Sequence, residues 1–358
     1  MKIFGKDTKR HQILEKVGDI TQLGGIKYYE FADGVSKGVR AFDISSPQGI
    51  DMTVLIDRGM DISEFRYKGI PLAWKSVTRE TSPVFYESKD FEWLRTFYGG
   101  LLTTCGLTYF GMPCTDEGEE LGLHGRISNL PAENPVTDCF WQDDSYIMTV
   151  SAKVREAKVF GDKLEMCRKI STAMDSKKIT VEDTVTNIGH KSSPFMVLYH
   201  INLGYPLLDA YSKIIEPKAK VTARDKEADK GIDNYFEFSE PIADFGEQVF
   251  FHDITPDKDG LCNIALINEK FDMGKGLGLY LRFKKEELPN LIQWKQTGQG
   301  EYVCGLEPTN SFPRGRDIES KEGNVRFLRP GEKAYQKIEI GILDGIEDIQ
   351  GFKEKIRY

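Results

Sequence analysis

The sequence predicts an all-β protein, a large antiparallel β-sandwich with few short helices. Strand-like runs of alternating apolar residues recur at short intervals, and turn-forming clusters such as residues 46–49, 175–177 and 329–331 separate them. Strands do not alternate regularly with long helices, which favours antiparallel over parallel pairing. The predicted strands include residues 26–31, 39–44, 52–56, 146–154, 163–172, 178–186, 277–283 and 337–342.

Helical patterns are few, and the chain shows no sign of division into domains. The helix candidates are residues 8–17, 88–97 and 347–356. Ser88 is a possible N-cap of the second helix. The chain has 358 residues, of which 40% are hydrophobic, enough for one large core. Because no repeat or low-complexity linker interrupts it, we expect residues 1–358 to form a single domain, with residues 1–53 as its edge strands.

The most informative segment is residues 183–206. A half-buried strand over residues 180–187 is followed by a polar turn, and a second β-rich run begins at Phe195. Alternation along that run places Met196, Leu198, His200 and Asn202 on one face. An imidazole near the end of a rigid strand can face a cavity at the strand's end, so His200 is the first candidate for a functional residue.

This segment resembles that of the aldose 1-epimerases, or galactose mutarotases. The matching residues are Val185, Thr186, Asn187, Pro194, Phe195, His200, Asn202 and Leu203. Three further pieces occur in the family's order, namely Leu123-His124-Gly125, the strand Gly305-Leu306-Glu307-Pro308 and the closing segment Leu328-Arg329-Pro330-Gly331-Glu332. The family's Gly-Arg…Asn-Arg-Ile motif is missing, since residues 98–106 keep glycines without an arginine. The chain is therefore identified as a divergent branch of the mutarotase-like superfamily, resembling it from about residue 54 onward.

The resemblance implies a mutarotase-like supersandwich and an isomerase of carbohydrate metabolism that interconverts the anomers of a free sugar without cofactor or metal. Ring opening needs a base for the anomeric hydroxyl and an acid for the ring oxygen. The resemblance assigns Glu307 as the base and His200 as the acid. An imidazole with a pKa near ~6.5, raised by a nearby carboxylate, would supply that proton. His124 is expected to bond a ring or anomeric oxygen.

Further candidates for substrate binding are Arg58, Trp294, Lys295 and Asn202. Arg58 ends an apolar strand before a glycine and is placed to reach sugar hydroxyls, but a bidentate pair with a neighbouring carboxylate is about as plausible. Trp294 offers a stacking face, or belongs to the core. Strand alternation puts Lys295 opposite Trp294, so both line one cavity only if a bulge intervenes. His252 is expected to form a hydrogen-bonded pair with Asp253.

Composition limits the kinds of partner. The net charge of −8 comes from acidic and basic residues that are interspersed along the chain. This pattern is typical of an acidic soluble protein and argues against nucleic acid as a partner. The six cysteines form no C-x-x-C pair, so reduced thiols are expected. No apolar run approaches the ~18 residues of a membrane span, and the first residues lack an apolar leader. A cytoplasmic protein with a small-molecule sugar partner is predicted, with its oligomeric state left open.

Two other functions remain open. The same sandwich hosts glycoside hydrolases and polysaccharide lyases, although common glycoside hydrolysis needs two carboxylates and only Glu307 has a motif behind it. A non-catalytic carbohydrate-binding protein would keep aromatic and arginine contacts without needing an acid and a base. The charged segment 218–233 is predicted to be a solvated hairpin or, as the less favoured alternative, an excursion over the site.

Overall fold

The computed structural model describes residues 1–357, and most of its regular structure is β-strand. The strands are β1 (Lys2–Ile3), β2 (Lys6–Asp7), β3 (Gly25–Glu30), β4 (Arg40–Ser45), β5 (Ile50–Leu55), β6 (Asp61–Tyr67), β7 (Ile70–Pro71), β8 (Thr103–Leu107), β9 (Cys114–Asp116), β10 (Glu119–Leu121), β11 (Glu133–Gln142), β12 (Ser145–Ala157), β13 (Lys163–Ala173), β14 (Lys178–Asn187), β15 (Ser193–Leu203), β16 (Ser212–Ile215), β17 (Ala219–Ala223), β18 (Gln248–Ile254), β19 (Leu261–Asn268), β20 (Leu277–Lys284), β21 (Asn290–Gly298), β22 (Glu301–Thr309), β23 (Arg326–Leu328) and β24 (Lys333–Asp344). The helices are α1 (Arg10–Leu14), α2 (Lys226–Asp229), α3 (Phe271–Gly274), α4 (Arg316–Lys321) and α5 (Ile346–Lys355).

Two large antiparallel sheets form the sandwich. One has eight strands in the order β11-β12-β13-β14-β24-β20-β19-β16, and the other has seven, in the order β17-β18-β21-β22-β15-β23 with β8 also paired to β15. Side chains from both sheets, among them Val150, Ile179 and Leu281 of the first and Val197 and Leu306 of the second, meet in one hydrophobic core. The predicted fold class is confirmed.

The first strands of the chain do not extend either large sheet. Instead, β3, β4 and β5 pair with β6 and β7 in a separate five-stranded sheet. Phe42 and Met52 of this sheet pack into the same core as the two large sheets, and Ile62 exchanges backbone hydrogen bonds with Leu102 just before β8. The five-stranded sheet therefore shares its core with the sandwich, and the division of the chain into a single domain stays a prediction. The expectation that residues 1–53 are edge strands was wrong for β4 and β5, since each has a strand on both sides.

The local predictions differ in how well they hold. The predicted strands all occur, often one or more residues longer than expected, and the helix predicted over residues 347–356 is α5. The helix predicted over residues 88–97 is a short 3-10 helix, Glu92–Thr96, preceded by Phe91 and not capped by Ser88. Segment 218–233 contains β17 and α2, and β17 pairs with a strand more than twenty residues further on, so it is not a hairpin. None of the helices within residues 1–357 is long and apolar enough to cross a membrane.

Strand β15 carries the segment that the sequence singled out. All eleven of its residues are buried, because β15 lies inside the seven-stranded sheet. Val197 and Ile201 point into the main core, whereas Met196 and Leu198 join a second cluster with Trp93. The predicted alternation of faces is therefore confirmed, and His200 lies on the face that carries the second cluster.

Candidate active site

A cavity of about 400 Å³ opens beside the second apolar cluster, on the face of the seven-stranded sheet that lies away from the main core. This volume is within the range of small-molecule sites. Its aromatic lining consists of Trp74, Phe91, Trp93, Phe97 and Trp294, and its charged or titratable lining of His124, His200, Arg224, Glu247, Glu301 and Glu307.

The six cysteines, all within the described part of the chain, form no disulfide.

His200 and Glu307 meet on the floor of this cavity. Strands β15 and β22 are antiparallel neighbours in which Ile201 pairs with Leu306, and the same register sets His200 opposite Glu307. His200 Nε2 lies 3.3 Å from Glu307 Oε1, and the two side chains are only 7% and 4% exposed. Two residues more than one hundred positions apart in the chain are thus brought together by the register of neighbouring strands.

Burial sets the charge state of this pair. It lowers the pKa of His200 to about 3, with His124 adding to the effect, and raises the pKa of Glu307 well above its usual value, with Glu247 adding and Arg224 opposing. Desolvation is the largest cause of both shifts. Both pKa shifts favour a neutral imidazole and a protonated carboxyl, whereas the family resemblance implies an imidazolium.

His124 is held on the cavity wall by an unusual backbone turn. His124 has φ +57° and Gly125 φ +74°. A Cβ on Gly125 would lie 2.2 Å from Tyr109 O, so only glycine fits there. The His124 ring lies 5.9 Å from that of His200 and 4.8 Å from that of Trp93, measured between centroids. Burial lowers the pKa of His124 to about 4, so its imidazole is neutral as well.

Three buried polar atoms at the cavity floor have no hydrogen-bond partner within residues 1–357. They are His124 Nδ1, His200 Nδ1 and Glu307 Oε1. The 3.3 Å contact between His200 and Glu307 thus lacks hydrogen-bond geometry. Buried polar atoms are normally paired, so these three atoms mark the polar part of the cavity lining as an exception to that rule.

Trp294 lines the cavity, whereas Lys295 and Asn202 do not. The indole Nε1 of Trp294 donates to Glu247 Oε2 over 2.9 Å, and its ring lies 5.4 Å from that of His200. Lys295 points to the other face of β21, as strand alternation requires, and donates to Asn234 O over 3.0 Å. Asn202 is buried, and its Nδ2 donates to the carbonyls of Gly100 and His200. The substrate-binding roles predicted for Lys295 and Asn202 are not supported by these positions.

Arg58 was also misplaced by the prediction. Its guanidinium is buried and donates to three backbone carbonyls, those of Ser128, Thr81 and Thr96, over 2.6 to 2.8 Å. With its donors used in this way, Arg58 faces neither the cavity nor a carboxylate partner. These hydrogen bonds instead fix the backbone around Thr96, next to the aromatic residues Trp93 and Phe97 of the cavity lining. His252 likewise differs from expectation, because its Nδ1 contacts Glu216 at 3.0 Å rather than Asp253.

Arg224 and Glu247 form an ion pair in the cavity lining that the sequence did not reveal, and the aromatic residues Trp74, Phe91, Trp93 and Phe97 were also missed. Arg224 Nη2 lies 2.9 Å from Glu247 Oε1, and Arg224 Nε lies 2.7 Å from Asp225 Oδ2. Arg224 follows β17 and Glu247 precedes β18, so the pairing of these two strands brings them together. The charged composition of segment 218–233 was the only signal, and it was assigned mainly to solvent. Within residues 1–357, no group of three or more His, Cys, Asp or Glu residues is arranged to hold a metal ion.

The facing antiparallel sheets and the cavity on one of them define a mutarotase-like β-sandwich. The structure superposes on that of a "putative aldose 1-epimerase" from Klebsiella pneumoniae subsp. pneumoniae MGH 78578 with a TM-score of 0.86, 22% identity and coverage of 96% of this chain and 93% of that chain. It also resembles a galactose mutarotase-like protein from Clostridium acetobutylicum (TM-score 0.58, 15% identity, 90% and 99% coverage). A galactose 1-epimerase from Lactobacillus acidophilus NCFM gives a TM-score of 0.59 at 13% identity, with 90% and 99% coverage. At these identities the likeness establishes the fold.

The chain belongs to the family described as a domain of unknown function, DUF4432, whose family model matches residues 36–342. No curated protein matches the sequence.

Proposed function

We propose that this protein is an aldose 1-epimerase-like enzyme, from a divergent branch of the mutarotases, that interconverts the anomers of a free sugar. The observation that carries the proposal is the contact between His200 Nε2 and Glu307 Oε1, 3.3 Å apart on the floor of an aromatic cavity. An imidazole and a carboxyl that share one proton can open a hemiacetal ring and close it again without other groups. His124, which lines the same cavity, bonds a further sugar oxygen in this proposal.

The mechanism follows from where the proton resides. In ring opening, Glu307 donates its proton to the ring oxygen as the C1–O5 bond breaks, and neutral His200 takes the proton of the anomeric hydroxyl. The site then holds a carboxylate and an imidazolium. This assignment reverses the roles that the family resemblance gives for ring opening, in which Glu307 takes the proton of the anomeric hydroxyl and His200 protonates the ring oxygen. After rotation about C1–C2, the carboxylate takes the proton back from O5 and the imidazolium protonates the carbonyl oxygen. The ring closes with inverted configuration at C1, and the pair returns to its starting state.

The cavity walls suit this reaction. Trp74, Phe97 and Trp294 offer apolar faces to the C–H surface of a sugar ring, while the polar floor lies at one end. Burial between these apolar walls favours the neutral forms of both groups, so Glu307 begins ring opening with a proton to donate and His200 with a nitrogen able to accept one. Each group is expected to contribute about 10²–10⁴-fold to the rate.

A glycoside hydrolase is the second candidate, because Glu247 and Glu301 line the same cavity as Glu307. Glu247 accepts hydrogen bonds from Arg224 and Trp294, one on each oxygen, so it is not free to act as a second catalytic carboxylate. Glu301 lies at the exposed start of β22. The arrangement therefore favours anomer exchange at Glu307 and His200.

Proton NMR of a panel of free aldoses tests the proposal. Wild type is expected to accelerate exchange between the α and β signals of at least one sugar, and His200→Asn and Glu307→Gln are expected to reduce that acceleration at least about a hundredfold. Lys295→Gln, a change on the opposite face of the sheet, serves as the control and should keep the wild-type rate. Equal rates for wild type and both site variants would remove the assignment. Binding without acceleration would identify a non-catalytic sugar-binding protein, and release of sugar from aryl glycosides a hydrolase.

A further inference from the structure

The lining of the active-site cavity includes apolar residues that remain largely exposed to solvent, Val77 (88%), Phe91 (50%), Leu94 (49%) and Met112 (40%). The lining also includes the polar residues Arg224, Glu247, Gln296 and Glu301. Exposed large apolar side chains that are continuous with a ligand cavity form a contact surface for something apolar.

The charges at this cavity do not favour an anion. Arg224 is the cation among the lining residues, and it is already paired with both Asp225 and Glu247. Glu247 and Glu301 add negative charge beside it. A phosphate or carboxylate on the ligand would meet these carboxylates without an unpaired guanidinium or ammonium among the lining residues to bond it.

The proposed function determines which end of the ligand enters first. His200 and Glu307, which open the ring in that proposal, are buried groups of the cavity lining, so the anomeric carbon lies at the bottom of the cavity. The part of the ligand furthest from the anomeric carbon then lies at the mouth, within reach of Val77 and Leu94. A bare sugar presents hydroxyls there and would leave those apolar side chains in water.

We propose that the ligand is an uncharged reducing sugar that carries an apolar substituent away from its anomeric carbon, and that Val77, Phe91, Leu94 and Met112 bind this substituent. This inference rests on the proposed function, since it uses the same floor to orient the sugar. The substituent is an alkyl, acyl or aryl group, or a deoxy carbon, because each removes apolar surface from water when it covers these side chains.

The test measures binding separately from turnover. Calorimetric titration of Glu307→Gln compares glucose and galactose with their 3-O-butyl, 4-O-butyl and 6-O-butyl ethers and their 6-phosphates. For at least one ether position, binding about ten-fold tighter than that of the parent sugar is expected, since a butyl group adds apolar surface at ~0.8 kcal/mol per buried CH₂ and tenfold needs only ~1.4 kcal/mol. The 6-phosphates should bind more weakly than the parent sugars.

Substitutions at the mouth locate the effect. The double change Val77→Ser with Leu94→Ser, introduced into Glu307→Gln, should abolish the gain from the butyl group and leave the parent sugar's affinity unchanged. Val84→Ser is the matched control, because Val84 is exposed in the same segment but does not line the cavity. Ethers that bind no tighter than the parent at every position, or a gain that survives the double change, would overturn the inference.

The outcomes separate the two proposals. Tight binding of an ether by Glu307→Gln, with no anomer exchange catalysed by wild type on any sugar, would refute the proposed function and support this inference. Equal binding and equal exchange for parent and ether sugars would support the function and refute the inference.

Discussion

Tyr199 Oη donates a 2.8 Å hydrogen bond to Asp183 Oδ2 inside the main core. Tyr199 is the neighbour of His200 on β15 and points to the opposite face. This hydrogen bond therefore fixes β15, the strand that carries His200, on the side of the main core. Asp183 in turn accepts from Arg168 through both carboxylate oxygens, at 2.9 and 2.6 Å. Arg168 also lies 2.6 Å from Asp61 Oδ1, and all three charged side chains are fully buried.

The same hydrogen-bond network reaches β8, the strand that pairs with β15. Asp61 accepts from the backbone N–H and the hydroxyl of Thr104, at 2.8 and 2.6 Å, and Thr104 pairs with Tyr199 across β8 and β15. Burial raises the pKa of Asp61 to about 6 despite the neighbouring Arg168. A single guanidinium thus holds two buried carboxylates and, through them, β15, which carries His200, and its neighbour β8.

Arg168→Met should therefore destabilise the protein strongly, because it leaves two carboxylates buried without a cation. Removing one partner of a buried ion pair costs about 3–5 kcal/mol. Equilibrium unfolding in urea measures the change. Arg155→Met is the matched control, since Arg155 makes an exposed ion pair with Glu165 on the neighbouring strand and should cost no more than about 1 kcal/mol. Similar losses for both variants would show that the buried network does not stabilise the fold.

The sequence predicted the architecture and the central pair, because both depend on local patterns. Alternation along β15 decides which face His200 occupies, and that holds whichever strands lie beside it. The motif around Glu307 marked a second strand in the right order. The prediction that Lys295 lines the cavity failed because a residue adjacent to Trp294 in a strand faces the opposite side of the sheet. The alternation of the sequence had already indicated this conflict.

The remaining site residues depend on contacts that no local pattern contains. Arg224 and Glu247 meet only because β17 pairs with β18 across a segment of more than twenty residues. Arg58 has a glycine after it, but its direction is set by carbonyls of two distant segments. The edge-strand prediction for residues 1–53 failed for the same reason, since alternation shows that a strand exists and not which strand it pairs with.

His124 should make stability fall in mild acid. Its folded pKa is about 4, below the ordinary value of 6.5, so between these pH values the unfolded chain binds a proton that the folded protein does not. The free energy of unfolding therefore decreases as the pH falls from 6.5 to 4, by an amount on the order of 2 kcal/mol from this residue. Urea unfolding of wild type and His124→Asn across this range measures it. Parallel pH curves for the two proteins would contradict the assignment.

The acid limb of the rate profile should lie far below the pKa of an ordinary histidine. The catalytic pair needs neutral His200, and burial lowers the pKa of this imidazole to about 3. On the sugar that it turns over, kcat/KM should therefore change less than about twofold between pH 7 and pH 5, after subtraction of spontaneous exchange. With an ordinary imidazole base of pKa ~6.5, kcat/KM would fall about 25-fold between pH 7 and pH 5. A fall of tenfold or more would refute the buried neutral state.

Ligand binding should change the tryptophan fluorescence. Trp74, Trp93 and Trp294 line the cavity, and the chain has four tryptophans in all. A sugar that covers these rings alters their exposure to water, so titration should shift or quench the emission. Trp294→Phe should remove much of the change and weaken binding, because it also deletes the donor to Glu247. Trp141→Phe, a change outside the cavity, should leave the fluorescence change intact. If the fluorescence change disappeared in Trp141→Phe, the ligand would bind somewhere other than the cavity.

Gly125→Ala should displace His124 from the cavity wall. An alanine Cβ at Gly125 would lie 2.2 Å from Tyr109 O and 2.6 Å from Gly106 O, so the turn must move. Gly118→Ala is the matched control, because Gly118 has a similar φ of +82° but open space around its Cβ position. Gly118→Ala should cost about 1 kcal/mol from the left-handed conformation alone, and Gly125→Ala at least ~2 kcal/mol more. Anomer exchange should fall at least about tenfold in Gly125→Ala and stay unchanged in Gly118→Ala. If exchange survives in Gly125→Ala at the wild-type rate while unfolding shows the expected loss, His124 does not contribute to the chemistry.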